Sequence, residues 1–285
     1  MKDRIDPLIA ERAPWLFRPT PMARAARPLL DRVLHYDRTV ALAARVADLP
    51  APGIMAEVHR LIARRVTVSG LHHLPGDGPA LVVANHPTGI ADGVILHGAL
   101  AERRPDLYFL ANRDILRVLP QMAEMIAPVE WRPALRSPAK TRQTLHFVQG
   151  AVAQGRLGVI FPSGRLAQRR GLRLYERPWM ASAATLARRF DLPVIPVHIR
   201  ARNSALFYLF DRIHPTLRDI TLFHETLNKA AQPFAVTVGA PIAAASLPQG
   251  PDAAIAMLRR AVLDLAEDPT GTVRLIPAAR RPQLA

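Results

Sequence analysis

Residues 80–93 read ALVVANHPTGIADG. Five apolar residues end at Asn85-His86, pass through Pro87 and Gly89, and give way to a helical pattern from Asp92. A short continuous apolar run closed by turn residues is the signature of a strand buried on both faces. The same texture returns as LYFLA at 107–111, LGVIF at 157–161, VIPVHI at 194–199 and FAVTV at 234–238. Helical patterns fill 92–103, 114–126, 139–154, 179–190 and 252–267 between and after them. Strands of this kind alternating with helices predict an α/β fold, a mostly parallel central sheet flanked by helices.

Upstream the pattern is helical throughout. PMARAARPLLDRVLHY at 21–36 gathers Leu29, Leu30, Val33 and Leu34 on one side, with Pro28 breaking or starting a helix. Residues 54–65 place Ile54, Val58, Leu61 and Ile62 at helical spacing, flanked by Arg60, Arg64 and Arg65. Such basic amphipathic helices either lie in a membrane interface or pack their apolar stripe on the main domain. The expected organisation is an N-terminal amphipathic helical segment over 1–65, a catalytic domain over 66–272, and a peripheral tail over 273–285.

The 285 residues are 49% hydrophobic, lack cysteine, and carry 38 Lys plus Arg against 23 Asp plus Glu, for a formal charge of +15. The apolar fraction excludes disorder as the main state. The missing cysteines exclude disulfides, thiolate metal sites and a cysteine nucleophile. The charge calls for an anionic partner, although only Lys2, Lys140 and Lys229 are lysines, so part of it reflects a general richness in arginine. It is also local: residues 101–190 hold 16 basic and 6 acidic groups, and Arg156, Arg165, Arg169, Arg170, Arg173 and Arg177 face only Glu176. Nucleic acid is not the expected partner, because no binding motif accompanies the charge and aromatics are only 6%. No run reaches the ~20 apolar residues of a spanning helix, and the charged start (Lys2, Asp3, Arg4, Asp6) is unlike a signal peptide.

Chemistry in α/β proteins collects where strands end. After the 80–84 strand come His86 and Asp92: an imidazole beside a carboxylate is a general base, whereas the bland alternative is a cap and a first-turn acid. Asn112-Arg113-Asp114 follows the 107–111 strand and reads more readily as a helix start, with Asn112 capping and Asp114 in the first turn, than as a site. Pro162-Ser163-Gly164-Arg165 follows the 157–161 strand, where Gly164 lets backbone approach a ligand and Arg165 offers planar donors, or else forms a plain turn. Ser163 is not in a G-x-S-x-G elbow, so it is not read as a nucleophile. Pro196 and His198 lie within the VIPVHI pattern. His72-His73 lack further metal-ligand spacing, and no metal site, Walker loop or dinucleotide fingerprint is present.

Taken in order, NHPTGIADG at 85–93, the basic loop at 112–113, FPSGR at 161–165, VIPVHIRARNSALFY at 194–208, HPTLRDITLFHETLNK at 214–229 and VTVGAPI at 236–242 resemble the glycerophospholipid acyltransferase superfamily. The likeness is nearest to its bacterial hemolysin-like or lyso-ornithine-lipid O-acyltransferase branch. It implies a glycerol-3-phosphate acyltransferase-like fold, His86 as general base and Asp92 as its orienting partner. It also implies substrate-binding roles for Asn112, Arg113, Ser163, Gly164, Arg165 and Pro196. The implied reaction moves a fatty acyl group from an acyl carrier protein or coenzyme A thioester to the hydroxyl of a lysolipid. Lyso-ornithine lipid is the leading acceptor and lysophosphatidic acid the runner-up. No cofactor is implied, and the place of work is an anionic membrane surface, the cytoplasmic face of the inner membrane. Two departures stand out: five residues rather than four separate His86 from Asp92, and Ser163 replaces the glutamate of F-P-E-G. They leave open a non-catalytic membrane- or carrier-binding protein of the same fold.

Overall fold

The computed structural model describes residues 1–130, 132–268 and 272–275. Four helices come first: α1 (Lys2–Arg12), α2 (Pro21–Val33), α3 (Tyr36–Arg45) and α4 (Ala51–Ile62). Then follow β1 (Val66–Ser69), β2 (Ala80–Ala84), α5 (Ile90–Leu100), β3 (Leu107–Asn112), α6 (Ile115–Val118), β4 (Ile126–Val129), α7 (Pro138–Ala153) and β5 (Leu157–Ile160). A small hairpin, β6 (Gln168–Arg170) and β7 (Arg173–Tyr175), precedes α8 (Ser182–Arg189) and β8 (Val194–Arg200). The chain continues through α9 (Ala205–Ile213), α10 (Pro215–Ile220), α11 (Leu222–Leu227), β9 (Phe234–Val238), α12 (Pro251–Leu263) and β10 (Val273–Arg274).

The main sheet runs β1-β9-β8-β2-β5-β3-β4. Five neighbours from β8 to β4 are parallel, while β9 is antiparallel to β8 and β1 follows β9. β2 sits at the centre and is buried along its whole length, as its unbroken apolar run requires. Alternate side chains split the core. Ala80, Val82 and Ala84 face a cluster holding Ile54, Val94, Ile95, Ile5 and Leu8, so α4, α5 and α1 cover one face. Leu81 and Val83 face Val148, Ala183, Leu186, Leu258 and Val262, placing α7, α8 and α12 on the other. Gly158 of β5 lets Tyr108 of β3 cross it, because a Cβ there would lie 2.7 Å from the phenol.

Several expectations change in detail. The 114–126 helix is instead the short α6, a 3-10 turn at 120–124 and the strand β4. Pro28 lies inside α2, and the break in the 21–36 pattern comes at His35, which takes a left-handed φ of 51°. Ile5 and Leu8 of α1 are fully buried against the main core, each burial stabilising by about 1.5–3 kcal/mol. That part of the N-terminal segment packs on the domain. Val273–Arg274, expected in the tail, pairs with β7 as an edge strand; residues 276–285 of that tail lie outside the described residues. Among the described residues, no helix is long and apolar enough to cross a membrane.

Candidate active site

The parallel strands β2 and β5 end side by side, and the loops leaving them form the site. Asn85 extends the β2–β8 pairing with its side chain: Nδ2 donates to Ile199 O at 2.9 Å, and Ile199 N donates to Oδ1 at 2.7 Å. This holds the end of β2 where the chain turns away. His86 follows, its carbonyl accepting from Ala167 N at 2.9 Å and its own N–H donating to Glu176 Oε2 at 3.2 Å. Its ring stacks on Phe161 at the end of β5, with centroids 4.3 Å apart.

Asp92 lies in the first turn of α5 and is fully buried. Its Oδ2 accepts from Thr88 N at 2.8 Å and Gly89 N at 3.0 Å, and its Oδ1 accepts from the Thr88 hydroxyl. Half of a capping box is thereby formed, a carboxylate satisfying the donors at a helix start. Gly89 turns the chain at φ +97° and ψ −131°, a conformation closed to residues with a side chain, and a Cβ would press on Leu166 at 3.2 Å. The turn brings His86 Nδ1 to 2.9 Å from Asp92 Oδ2. The contact is close without being a directed hydrogen bond, and Nδ1 is buried. Nε2 is the accessible ring nitrogen, and no described residue bonds to it.

The Phe161–Gly164 turn closes through Gly164 N to Phe161 O, and Ser163 is buried with its hydroxyl donating to Arg165 O at 2.8 Å. Gly164 and Arg165 are exposed beside it. Arg177 arrives from beyond β7, donating to Leu166 O at 2.9 Å. Burial, then the like charges of Arg165 and Arg218, lower its pKa. Of the arginines singled out in the sequence, Arg156 is tied to Leu107 O and Glu124 O, and Arg173 pairs with Asp268. Arg165, Arg169, Arg170 and Arg177 have no carboxylate partner among the described residues and remain available to an anion.

Three expected residues lie elsewhere. Asn112 and Arg113 end β3, which β5 separates from β2. Asn112 Oδ1 accepts from Asp114 N and its Nδ2 donates to Asp114 Oδ2, so it shapes a turn. Asp114 in turn pairs with Arg12 of α1 at 2.7 Å, while Arg113 reaches Gln143. Pro196 aligns with Val83 in the middle of the β2–β8 ladder, three positions before His86, and its ring would be 3.0 Å from a Cβ at Gly239. His198 is buried within β8. In the sequence Glu176 stands out only as the acid of the basic patch. It is in fact buried, reaching His86 N and accepting from Trp179 Nε1 at 2.9 Å. No spacing in the sequence marks a link across ninety residues.

Residues 65–200 match the family model described as Acyltransferase. A lyso-glycine lipid O-acyltransferase of Phocaeicola vulgatus is 28% identical over 185 residues, 62% of this chain and 64% of that protein. The chain thus spans just under two thirds of that relative. A protein of the same name from Bacteroides thetaiotaomicron is 23% identical over 246 residues, 84% of this chain and 87% of the relative. In fold, the chain resembles the crystal structure of the 1-acyl-sn-glycerophosphate (LPA) acyltransferase from Thermotoga maritima. The TM-score is 0.51, with 14% identity, over 85% of this chain and 95% of that one.

Proposed function

From the match of residues 65–200 to the acyltransferase family model we propose that the chain moves a fatty acyl group from a thioester to the hydroxyl of a lysolipid. The observation that carries the proposal is the 2.9 Å approach of His86 Nδ1 to buried Asp92 with Nε2 left accessible. In this reading, Nε2 takes the proton of the acceptor hydroxyl as its oxygen attacks the thioester carbonyl. Asp92 fixes the ring and stabilises the imidazolium that forms. When the tetrahedral intermediate collapses, the C–S bond breaks and the proton passes from His86 to the departing thiolate, leaving ester and free thiol. No acyl-enzyme is formed, in keeping with Ser163 being buried and bonded to Arg165 O.

The acceptor carries an anionic group, a carboxylate or a phosphate, in its head. Arg165 and Arg177 support this, two unpaired guanidinium groups beside the His86 loop whose mutual repulsion an anion relieves. Apolar side chains at the same loops, Ile90 (42% exposed) and Met180 (44% exposed), offer contacts for an acyl chain. The lyso-glycine lipid relatives point to a lysolipid with an amino-acid head group, such as lyso-ornithine or lyso-glycine lipid, ahead of lysophosphatidic acid. The proposed setting is membrane lipid synthesis, with the protein peripheral on the cytoplasmic face of the inner membrane. The donor is an acyl carrier protein or coenzyme A thioester.

A panel test decides among these. The purified protein is given each donor with lyso-ornithine, lyso-glycine and lysophosphatidic acid lipids, and thiol release and diacylated product are followed by mass spectrometry. Product with an amino-acid lysolipid supports the reading; no product with any pair refutes it.

A further inference from the structure

Glu176 is a buried carboxylate without an ion pair to Lys or Arg among the described residues. Burying such a group is costly, and a neutral or apolar residue would fill the space at less cost. Burial accordingly pushes its pKa up, against donors that favour its charge. Both of its oxygens are committed. Oε1 accepts from Trp179 Nε1 at 2.9 Å and Oε2 from His86 N at 3.2 Å. The residue is itself anchored, since its carbonyl accepts from Arg259 Nη2 of α12 at 3.0 Å. Trp179, only 8% exposed, packs in the core cluster under α8 and α12, so the carboxylate joins the His86 loop to the solid part of the molecule.

His86 needs such a tether. Its ring is close to Asp92 without a directed hydrogen bond, and the Asp92 carboxylate holds the backbone of Thr88 and Gly89 but not that of His86 itself. The backbone of His86 is clamped from two sides, by Glu176 at its N–H and by Ala167 at its carbonyl, while Phe161 supports the ring. The adjacent loop supplies no carboxylate of its own. Ser163 is buried there, near enough to Glu176 to favour its ionised form.

We propose that Glu176 is the positioning residue for His86, a carboxylate delivered from the end of β7 that fixes the backbone of the general base and does from outside the 161–165 loop what an acid at position 163 would do from within it. The proposal rests on the acyltransferase reading for its kinetic consequence, but its structural core does not depend on it. Glutamine cannot replace Glu176 silently: both neighbours are N–H donors, and an amide offers only one oxygen between them.

The test uses Glu176→Gln, Glu176→Ala and the double change Ser163→Glu/Glu176→Ala in the full chain. The His86 imidazole signals are identified by their loss in His86→Ala and followed in long-range proton–nitrogen spectra. Folded Glu176→Gln is expected to shift those signals and to lower kcat at least 10-fold with the acceptor KM within about two-fold. The double change, which moves the carboxylate to position 163 in nearly unchanged volume, is expected to restore the His86 signals and several-fold of the rate. His86 signals in Glu176→Gln identical to wild type would overturn the proposal, whether or not the protein turns over lysolipid. Absence of wild-type turnover would overturn the functional reading alone. Should Glu176→Ala fail to fold, recovery of a folded protein with native His86 signals in the double change would still support the relocation. A folded double change with displaced His86 signals would count against it.

Discussion

His86 Nδ1 stands 2.9 Å from Asp92 Oδ2, and that same oxygen already accepts the backbone N–H groups of Thr88 and Gly89. The carboxylate therefore has two tasks, closing the turn at the start of α5 and orienting the ring. The second task is the one that chemistry uses. Asp92→Asn keeps an oxygen for the backbone donors but loses the charge that stabilises an imidazolium. A fall in kcat of about 10²–10⁴-fold is expected, with the unfolding midpoint little changed. A rate within two-fold of wild type in acyl-transfer assays would detach Asp92 from the reaction.

Arg177 lies between burial and the like charges of Arg165 and Arg218, all of which lower its pKa. An anionic head group bound there relieves the repulsion. Arg177→Ala and Arg165→Ala should each raise the acceptor KM about 10-fold with a smaller effect on kcat. The gap from wild type should narrow as salt rises, because exposed Arg165 is screened. Equal effects on an acceptor with an uncharged head group would rule out a head-group role.

Behind α5, Glu225 and Lys229 form a fully buried pair at 2.7 Å, with Lys229 also donating to Asn203 and Ser204 donating to Glu225. Lys229→Met strands the carboxylate and should cost about 3–5 kcal/mol in urea unfolding. Adding Glu225→Gln should recover part of that loss, since the uncompensated charge is then gone. A fully additive double variant would show that the pair is not coupled.

His198 is buried in β8 with Nε2 unpartnered, and burial followed by the charge of Arg200 lowers its pKa to about 4. Native His198 thus stays neutral where the unfolded chain, titrating near its ordinary 6.5, takes up a proton. Stability is unaffected above pH ~6.5 and falls as pH drops toward about 4, by about 3 kcal/mol from this residue. His198→Leu should flatten the unfolding free energy across that window. A residual slope remains because His59, His97 and His224 are also lowered by burial. An unchanged slope would assign the acid sensitivity elsewhere.

The buried strands were legible because a two-faced interior demands continuous apolar runs, and ALVVA, LYFLA, LGVIF, VIPVHI and FAVTV all became strands of one sheet. VTVS at 66–69 was not legible, being an edge strand whose side chains are mostly exposed and carry no such demand. IAPV at 126–129 was lost to the helical spacing of the apolar residues before it, and only its pairing with β3 decides the matter. In the site, His86, Asp92 and the Ser163–Arg165 turn were legible as polar residues after strands. Asn112, Arg113 and Pro196 were carried by resemblance of order, which says nothing of distance: β5 intervenes for the first two, and the register puts Pro196 back at Val83. Glu176 was hidden because His86, ninety residues away, meets it only in the folded chain, and its local bond to Trp179 three residues on leaves no pattern that marks it.

The most direct measurement is thiol release from an acyl thioester in the presence of lysolipid, comparing wild type with His86→Ala at matched folding by circular dichroism. The account predicts acceptor-dependent release by wild type and none above background by the variant. Release by a folded His86→Ala protein at the wild-type rate would contradict it.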